Sequence, residues 1–338
     1  MKLRWLLPSV LALVFLAGAL QFASMMSWWH KSSVNAYESV YIDIKPGSSV
    51  KQIAEQLYQA GIINNKSYFI WLVRLRGTNN TMKAGDYLLP PAFSPSQVYS
   101  QLQSGRVLQY AVTLVEGWTF NQVITELTAQ SLLKHDLQGL TSTQIMQKLG
   151  LPDKLPEGLF FPNTYFYVRG ASESLILKKA YKTMQAKLDS AWQTRDANLP
   201  YKTPYDALIA ASIIEKESAL PSERPFVASV LVNRLNRGMP LQMDPTVIYG
   251  LGAAYDGNIK SSDLKRKTDY NTYLFQGLPP TPIAMPGASS LNAALHPADT
   301  NYLYFVANGQ GSHQFSSSLS QHDKAVKAYL KQLKKRND

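Results

Sequence analysis

An α+β fold in successive parts is predicted for this 338-residue chain. Three observations carry the prediction. Residues 5–23 form an apolar run long enough to cross a bilayer, residues 40–89 alternate in the order β-α-α-β, and within a helix over 203–220 residues 207–214 are apolar on every side apart from Ser212. The expected order is a single N-terminal transmembrane helix, a small α+β module, and a mixed α/β domain built around a buried helix.

The composition supports such cores. Hydrophobic residues are 45% of the chain, which excludes disorder as a whole. The net charge of +11 suggests an acidic partner such as a nucleic acid, anionic lipid or anionic cell-wall polymer, but basic residues scatter until the tail and no nucleic-acid motif accompanies them. The chain has no cysteine, so disulfides, thiolate catalysis, cysteine-ligated metals and a lipid-modified N-terminal cysteine are ruled out. There is no Gly-x-Ser-x-Gly, His-Glu-x-x-His or phosphate loop, and Gly250-Leu251-Gly252 lacks the third glycine of a dinucleotide fingerprint. His296, His313 and His322 are not spaced as metal ligands. No cofactor and no metal are expected, and carboxylate acid-base chemistry is what remains for an enzyme.

Taken in order, Lys2 and Arg4 precede the apolar run, and Trp28 and Trp29 follow it where an interfacial belt would lie. The positive flank places the first residues in the cytoplasm and everything after Trp29 outside. Ala17-Gly18-Ala19 would suit a signal peptidase, yet hydrophobicity continues past it and ends in tryptophans, which favours an anchor. Either way the remainder is exported.

Residues 40–44 alternate as a strand, and Lys45-Pro46-Gly47-Ser48-Ser49 turns into a helix with Val50, Ile53, Ala54 and Leu57 on one face. Gly61 stops that helix, residues 67–76 make another, 82–89 return as a strand, and 94–102 make a short helix before Gly105. Residues 47–57 align without gaps on 117–127, with Gly, Ser/Thr, Gln and Leu in register, and each copy follows an alternating strand. Residues 156–165 are an aromatic, turn-rich stretch that reads as core, and 175–192 as a helix packed beside the organising one.

That organising helix starts with a Thr203 cap, Pro204 in the first turn and Asp206 beside it. It ends in Glu215 and Glu217. At about 100° per residue, Glu217 continues the face of Ala210, Ile213 and Ile214, while Glu215 lies nearly opposite, so the two cannot flank one bond. A carboxyl one turn beyond buried isoleucines loses hydration and can stay protonated near neutral pH, as a general acid requires. On residue types alone the bland reading stands ahead: two solvated helix-end glutamates, with Lys216 or Arg224 as partners.

Ser222 is a plausible cap for the next helix, which runs to Gly238. Residues 238–250 are dense in turn formers, amides, Asp244 and Tyr249; such a run suits a sugar site and equally suits ordinary turns. Residues 302–306 and 313–316 predict a hairpin across Asn308-Gly309, and the basic tail an amphipathic helix with Ala325, Val326, Tyr329, Leu330 and Leu333 on its apolar side.

In sum these motifs resemble a known family. Glu215-Lys216-Glu217, Ser222-Glu223-Arg224, Asn233-Arg234-Leu235, Asp244-Pro245-Thr246-Val247-Ile248-Tyr249-Gly250, Tyr270-Asn271-Thr272-Tyr273, Gly277-Leu278-Pro279-Pro280, Pro286-Gly287, His296-Pro297 and Tyr302-Leu303-Tyr304-Phe305-Val306 look like the YceG-like family of endolytic murein transglycosylases. The resemblance covers nearly the whole chain. It implies an anchor over 1–30, a LysM-like peptidoglycan-binding module over 37–106, an intervening α+β region over 107–200 and a catalytic domain over 201–338.

The resemblance also implies that Glu217, followed by Ser218, is catalytic, which reverses the bland reading. The implied reaction cleaves the β-1,4 bond between N-acetylmuramic acid and N-acetylglucosamine and leaves 1,6-anhydromuramic acid ends. Asn233, Gln242, Asp244, Tyr249, Asn271 and Tyr273 are the expected substrate-binding residues, from their polar or aromatic character and their place in the motif run. The expected setting is the inner membrane of a bacterium, single-pass and periplasmic, on nascent glycan strands and beside peptidoglycan synthases. Two other readings remain: a hydrolytic muramidase with Asp244 or Glu223 as a second acid, and a non-enzymatic wall-binding scaffold.

Overall fold

The computed structural model describes residues 6–31, 38–77 and 82–337. It is a mixed α+β chain in two compact units: Met1–Tyr110 with Tyr167–Arg169, and Ala111–Phe166 with Gly170–Asp338.

The first unit opens with helix α1, Leu6–His30, followed by strand β1 (Val40–Ile44), α2 (Val50–Gln59), α3 (Lys66–Leu75), β2 (Gly85–Leu89) and α4 (Pro95–Ser104). The β-α-α-β order is the one predicted. β1 and β2 pair antiparallel, with Val40 opposite Leu89 and Ile44 opposite Gly85. Ile42, Ile53, Leu57, Phe69, Leu72, Leu89, Val98 and Leu102 form the core. Ser49 accepts from the Gln52 backbone while the Gln52 side chain returns to Ser49, and Ser94 and Gln97 do the same for α4. Each box satisfies backbone groups that a helix start leaves open.

The tryptophans differ from expectation. Trp29 lies inside the core, 2% exposed, against Phe69 and Tyr99, with the Arg76 guanidinium 4.6 Å from its ring centroid. The Trp28 indole N–H donates to Asn64 Oδ1 at 2.5 Å. Residues 8–24 of α1 are exposed, and Gln21 among them donates to Tyr68 Oη at 2.7 Å. The reason for the buried tryptophan is packing: Phe69, Tyr99 and the Arg76 guanidinium enclose the Trp29 ring within the module.

Asp86, 1% exposed, closes the far side of β2. It accepts from Tyr41 Oη at 2.8 Å, Tyr110 Oη at 2.7 Å and Arg169 Nε at 2.6 Å. Burial opposes its charge, but Arg169 and the two hydroxyls outweigh burial and hold the carboxyl below its ordinary range.

In chain order, the remaining elements are β3 (Tyr110–Thr113), α5 (Phe120–Ala129), α6 (Ser142–Leu149), β4 (Thr164–Tyr167), α7 (Glu173–Gln193), α8 (Pro204–Glu217), α9 (Arg224–Asn236), α10 (Asp244–Leu251), α11 (Ala288–Leu295), β5 (Tyr304–Ala307), β6 (His313–Ser316) and α12 (Leu319–Asn337). In the second unit α8 is the axis. Ala207 through Ile214 are all buried, and α7, α9, α10 and α11 pack around them. Ser212, the one polar residue there, donates to Ile209 O at 2.7 Å and accepts from the Ile283 N–H at 3.0 Å. A buried hydroxyl so satisfied costs the helix little.

Several boundaries move. The organising helix stops at Glu217, because Ser218 turns to extended backbone. Ser222 does not cap α9; Glu223 occupies that position without a capping bond. Residues 244–251, in the run that suits a sugar site or turns alike, form α10, and its Gly250 is required by contact, since a Cβ there would stand 2.6 Å from Thr268 Oγ1. The β5–β6 hairpin forms as predicted, and Leu330, expected on the apolar side of α12, is 51% exposed.

Candidate active site

The end of α8 divides its two carboxylates as the helical geometry requires. Glu215 points into the protein: Oε1 accepts from Arg224 Nη2 at 2.8 Å, and Oε2 accepts from the Gly287 N–H at 2.9 Å. Arg224 also donates from Nε to Ser218 O at 3.3 Å, which ties down the residue after Glu217. Ser218 Oγ and the His313 ring and backbone together hold Glu223. The neighbours of Glu217 are therefore fixed on three sides.

Glu217 itself faces a cavity of ≈ 340 Å³ lined also by Arg234, Gln242, Asp244, Tyr273, Tyr304 and His322. That volume is at the lower end of the range of ligand sites, about 300–1,000 Å³. The Glu217 carboxylate accepts no hydrogen bond among the described residues. Its pKa is pushed up to about 8, first by burial and then by the negative charge of Asp244. The C-terminal end of α8, where the helix dipole is negative, acts in the same direction. At neutral pH this carboxyl carries its proton.

Asp244 stands in the first turn of α10 and accepts from Tyr273 Oη at 2.6 Å. Gln242 is held at φ +52°, a left-handed conformation rarely adopted by residues other than glycine. Its N–H donates to Thr272 O at 3.0 Å and its Oε1 accepts from Arg234 Nη1 at 3.0 Å, which turns the amide toward the cavity. Strain of this kind persists only where the surroundings over-determine it. Arg234 is a framework cation, 6% exposed, donating to Leu303 O at 2.7 Å and Leu241 O at 2.9 Å.

Of the residues singled out from the sequence, Glu217, Gln242, Asp244 and Tyr273 come together around this cavity. Three others lie elsewhere with their polar atoms engaged. Asn233 donates to Thr300 O and Tyr302 O, both at 2.9 Å, and so fastens the chain entering the β5–β6 hairpin. Asn271 is fully buried and donates to Leu264 O at 3.1 Å and Arg266 O at 2.8 Å, which shapes a turn. Tyr249 donates to Glu157 Oε2 at 3.0 Å and packs on Tyr270.

The sequence reading missed Arg234, Tyr304 and His322. Arg234 follows Asn233, one step of about 100° around α9, and only the landing place of Leu303 O decides which of them meets the cavity. His322 stacks on Tyr304 with ring centroids 5.2 Å apart, its pKa lowered by burial. The one available signal was the alternation of Tyr302-Leu303-Tyr304, which puts Leu303 in the core and the tyrosines on the other face.

Larger hollows exist, one of ≈ 660 Å³ lined by Lys179, Lys182 and Lys187, but no carboxylate faces it. No group of residues fit to hold a metal ion occurs among the described residues.

Comparison with known proteins points to one group. A sequence model of the YceG-like family matches residues 42–328. An endolytic murein transglycosylase of Bacillus subtilis is 32% identical over 311 residues, which covers 86% of this chain and 85% of that protein. Endolytic murein transglycosylases from two Streptococcus pneumoniae strains are 26% identical over 330 residues; 88% of this chain matches, and it spans 59% of their length. The crystal structure of a yceG-like protein from Listeria monocytogenes aligns with 86% of this chain and 99% of its own, with a TM-score of 0.53 and 31% identity.

Proposed function

Because the chain belongs to the YceG-like family, we propose that it is an endolytic murein transglycosylase, anchored by α1 in the cytoplasmic membrane of a bacterium with its N-terminus in the cytoplasm. One observation carries the assignment to residues: the Glu217 carboxyl, pushed up to about 8, accepts no hydrogen bond among the described residues and faces a polar-walled cavity that Asp244 also lines.

In this reading Glu217 protonates the oxygen of the β-1,4 bond between N-acetylmuramic acid and N-acetylglucosamine. The C1–O bond breaks and positive charge develops at C1. Asp244, held by Tyr273, lends negative charge to that state. The Glu217 carboxylate then takes the proton of the muramic acid C6 hydroxyl as its oxygen closes on C1, giving a 1,6-anhydro end. The nucleophile belongs to the substrate, so the water-activating carboxylate of an inverting glycosidase is not needed. The Gln242 amide grips sugar hydroxyls, and the β1-α2-α3-β2 module binds glycan as a LysM-like element.

The alternative hydrolytic reading has a specific support: Asp244 faces the same cavity as Glu217. Mass spectrometry of glycans released from purified peptidoglycan by the full chain and by Glu217→Gln separates the two. Internal fragments with anhydro ends, lost in the variant, are the expected result. Reducing ends would make the protein a muramidase with Asp244 as second acid, and no cleavage by the intact chain would make it a wall-binding scaffold.

A further inference from the structure

Helix α3 has one face that the fold uses only at its Tyr68 end, where the Tyr68 ring meets Trp28 edge-on with centroids 5.7 Å apart. At about 100° per residue, Tyr68, Trp71 and Leu75 lie within about 60° of one another around its axis. Trp71 is 65% exposed, more than any other large apolar side chain outside α1 among the described residues, and Leu75 is 59% exposed. A lone exposed leucine means nothing, but a tryptophan and a leucine one turn apart, beside the exposed Arg74 and Arg76, form an apolar stripe with a basic margin.

The placement of that stripe is fixed by α1. Gln21 Nε2 donates to Tyr68 Oη at 2.7 Å, so the Tyr68 side of α3 is held against α1 well before its end. Nine residues separate Gln21 from His30, about 14 Å along a helix. The apolar run ends at residue 23, so Gln21 marks the depth at which hydrocarbon gives way to headgroups when α1 spans a bilayer. Tryptophan, with an apolar body and one N–H, and arginine, which pairs with phosphate, are the residues that this layer accepts. A sugar would be held by stacking on the Trp71 ring alone, because Leu75 brings no amide or carboxylate to grip its hydroxyls.

We propose that the Tyr68, Trp71 and Leu75 face of α3 lies in the headgroup layer of the membrane that α1 crosses, with Arg74 toward lipid phosphate. The first unit thereby rests on the bilayer at two points. This inference depends on the reading of α1 as an anchor.

The absence of cysteine makes the test direct. The full chain is reconstituted in phosphatidylethanolamine–phosphatidylglycerol vesicles with a nitroxide at one of three positions: Leu16→Cys on α1, Lys51→Cys at the start of α2, or Ser67→Cys, which borders Trp71 and leaves it in place. Collision with a water-soluble nickel chelate is then compared with collision with oxygen. The Leu16 label is expected to favour oxygen, the Lys51 label nickel, and the Ser67 label to meet nickel several-fold less than the Lys51 label does. Adding Trp71→Ser and Leu75→Ser should raise nickel access at the Ser67 label part of the way to the Lys51 level, since α1 still holds Tyr68. A Ser67 label as open to nickel as Lys51, with Leu16 still in lipid, overturns the α3 contact and leaves the anchor standing. A Leu16 label open to nickel overturns both.

Discussion

Glu157 and Glu217 are two carboxylates of the second unit whose pKa burial raises, and they end differently. Glu157, 7% exposed, is raised to about 7, mainly by burial, yet it accepts from the Phe120 N–H at 2.9 Å and from Tyr249 Oη at 3.0 Å. Its lone pairs are committed to the start of α5 and to α10. Glu217 is raised to about 8 and accepts nothing among the described residues. Burial alone therefore does not single out an acid. What separates the two is satisfaction: the Glu157 oxygens are taken up by the Phe120 N–H and Tyr249, and among the described residues those of Glu217 are not.

The sharpest way to break this comparison is Glu217→Gln. Loss of a positioned acid is expected to lower glycan cleavage by about 10²–10⁴-fold, measured as product released per folded molecule. The same variant should melt at an equal or higher temperature. A raised carboxyl keeps its proton in the folded chain between the ordinary value of 4.5 and about 8, where the unfolded chain releases it. Stability from this group is thus present at low pH and lost as pH rises through that window, and the advantage of Gln in the melt should grow from the lower value to the upper.

The converse change is Glu157→Ala. It strands the Phe120 N–H and the Tyr249 hydroxyl, and is expected to cost about 1–3 kcal/mol of unfolding free energy in denaturant titration. Cleavage per folded molecule should stay at the parent level. If it fell as far as in Glu217→Gln, the division between the two carboxyls would be wrong.

A smaller effect sharpens the account of Glu217. The rate should decline as pH rises through about 8, where the acid loses its proton. Asp244→Asn removes the like charge and should move that alkaline limb to lower pH, but not to the ordinary carboxylate range, because burial is the larger cause. A pH–rate profile of both proteins reads this directly. Least of all, Gln242→Gly relieves the φ of +52° while giving up the Arg234 contact, so stability should change by less than about 1 kcal/mol and the loss should show in KM.

Local chemistry was legible in the sequence. The start of α8, the opposite faces of Glu215 and Glu217, and the β5–β6 hairpin all follow from residues within one or two turns of each other. The repeat between residues 47–57 and 117–127 is legible for the same reason: Ser49 with Gln52 and Thr119 with Gln122 are both capping boxes, after Gly47 at φ +79° and Gly117 at φ +76°. Thr141 with Gln144 forms another outside the repeat, so part of that likeness is a shared way of starting a helix. What was hidden depends on distant partners. Tyr249 looked like a sugar-site aromatic until Glu157, 92 residues away in sequence, claimed its hydroxyl. α10 was masked by Pro245 and Gly250, which read as turn formers although proline suits a first helical turn and this glycine answers a close approach by Thr268.

The small segment Tyr167–Arg169 belongs to the first unit although its chain neighbours on both sides belong to the second. The polypeptide passes from one unit to the other after residues 110, 166 and 169. A gene fragment ending at residue 110 would encode β2 without Arg169, leaving the Asp86 carboxylate sealed in with two hydroxyls and no cation. Shuffling or separate expression of the module must therefore carry that three-residue segment along, or replace Asp86 at the same time.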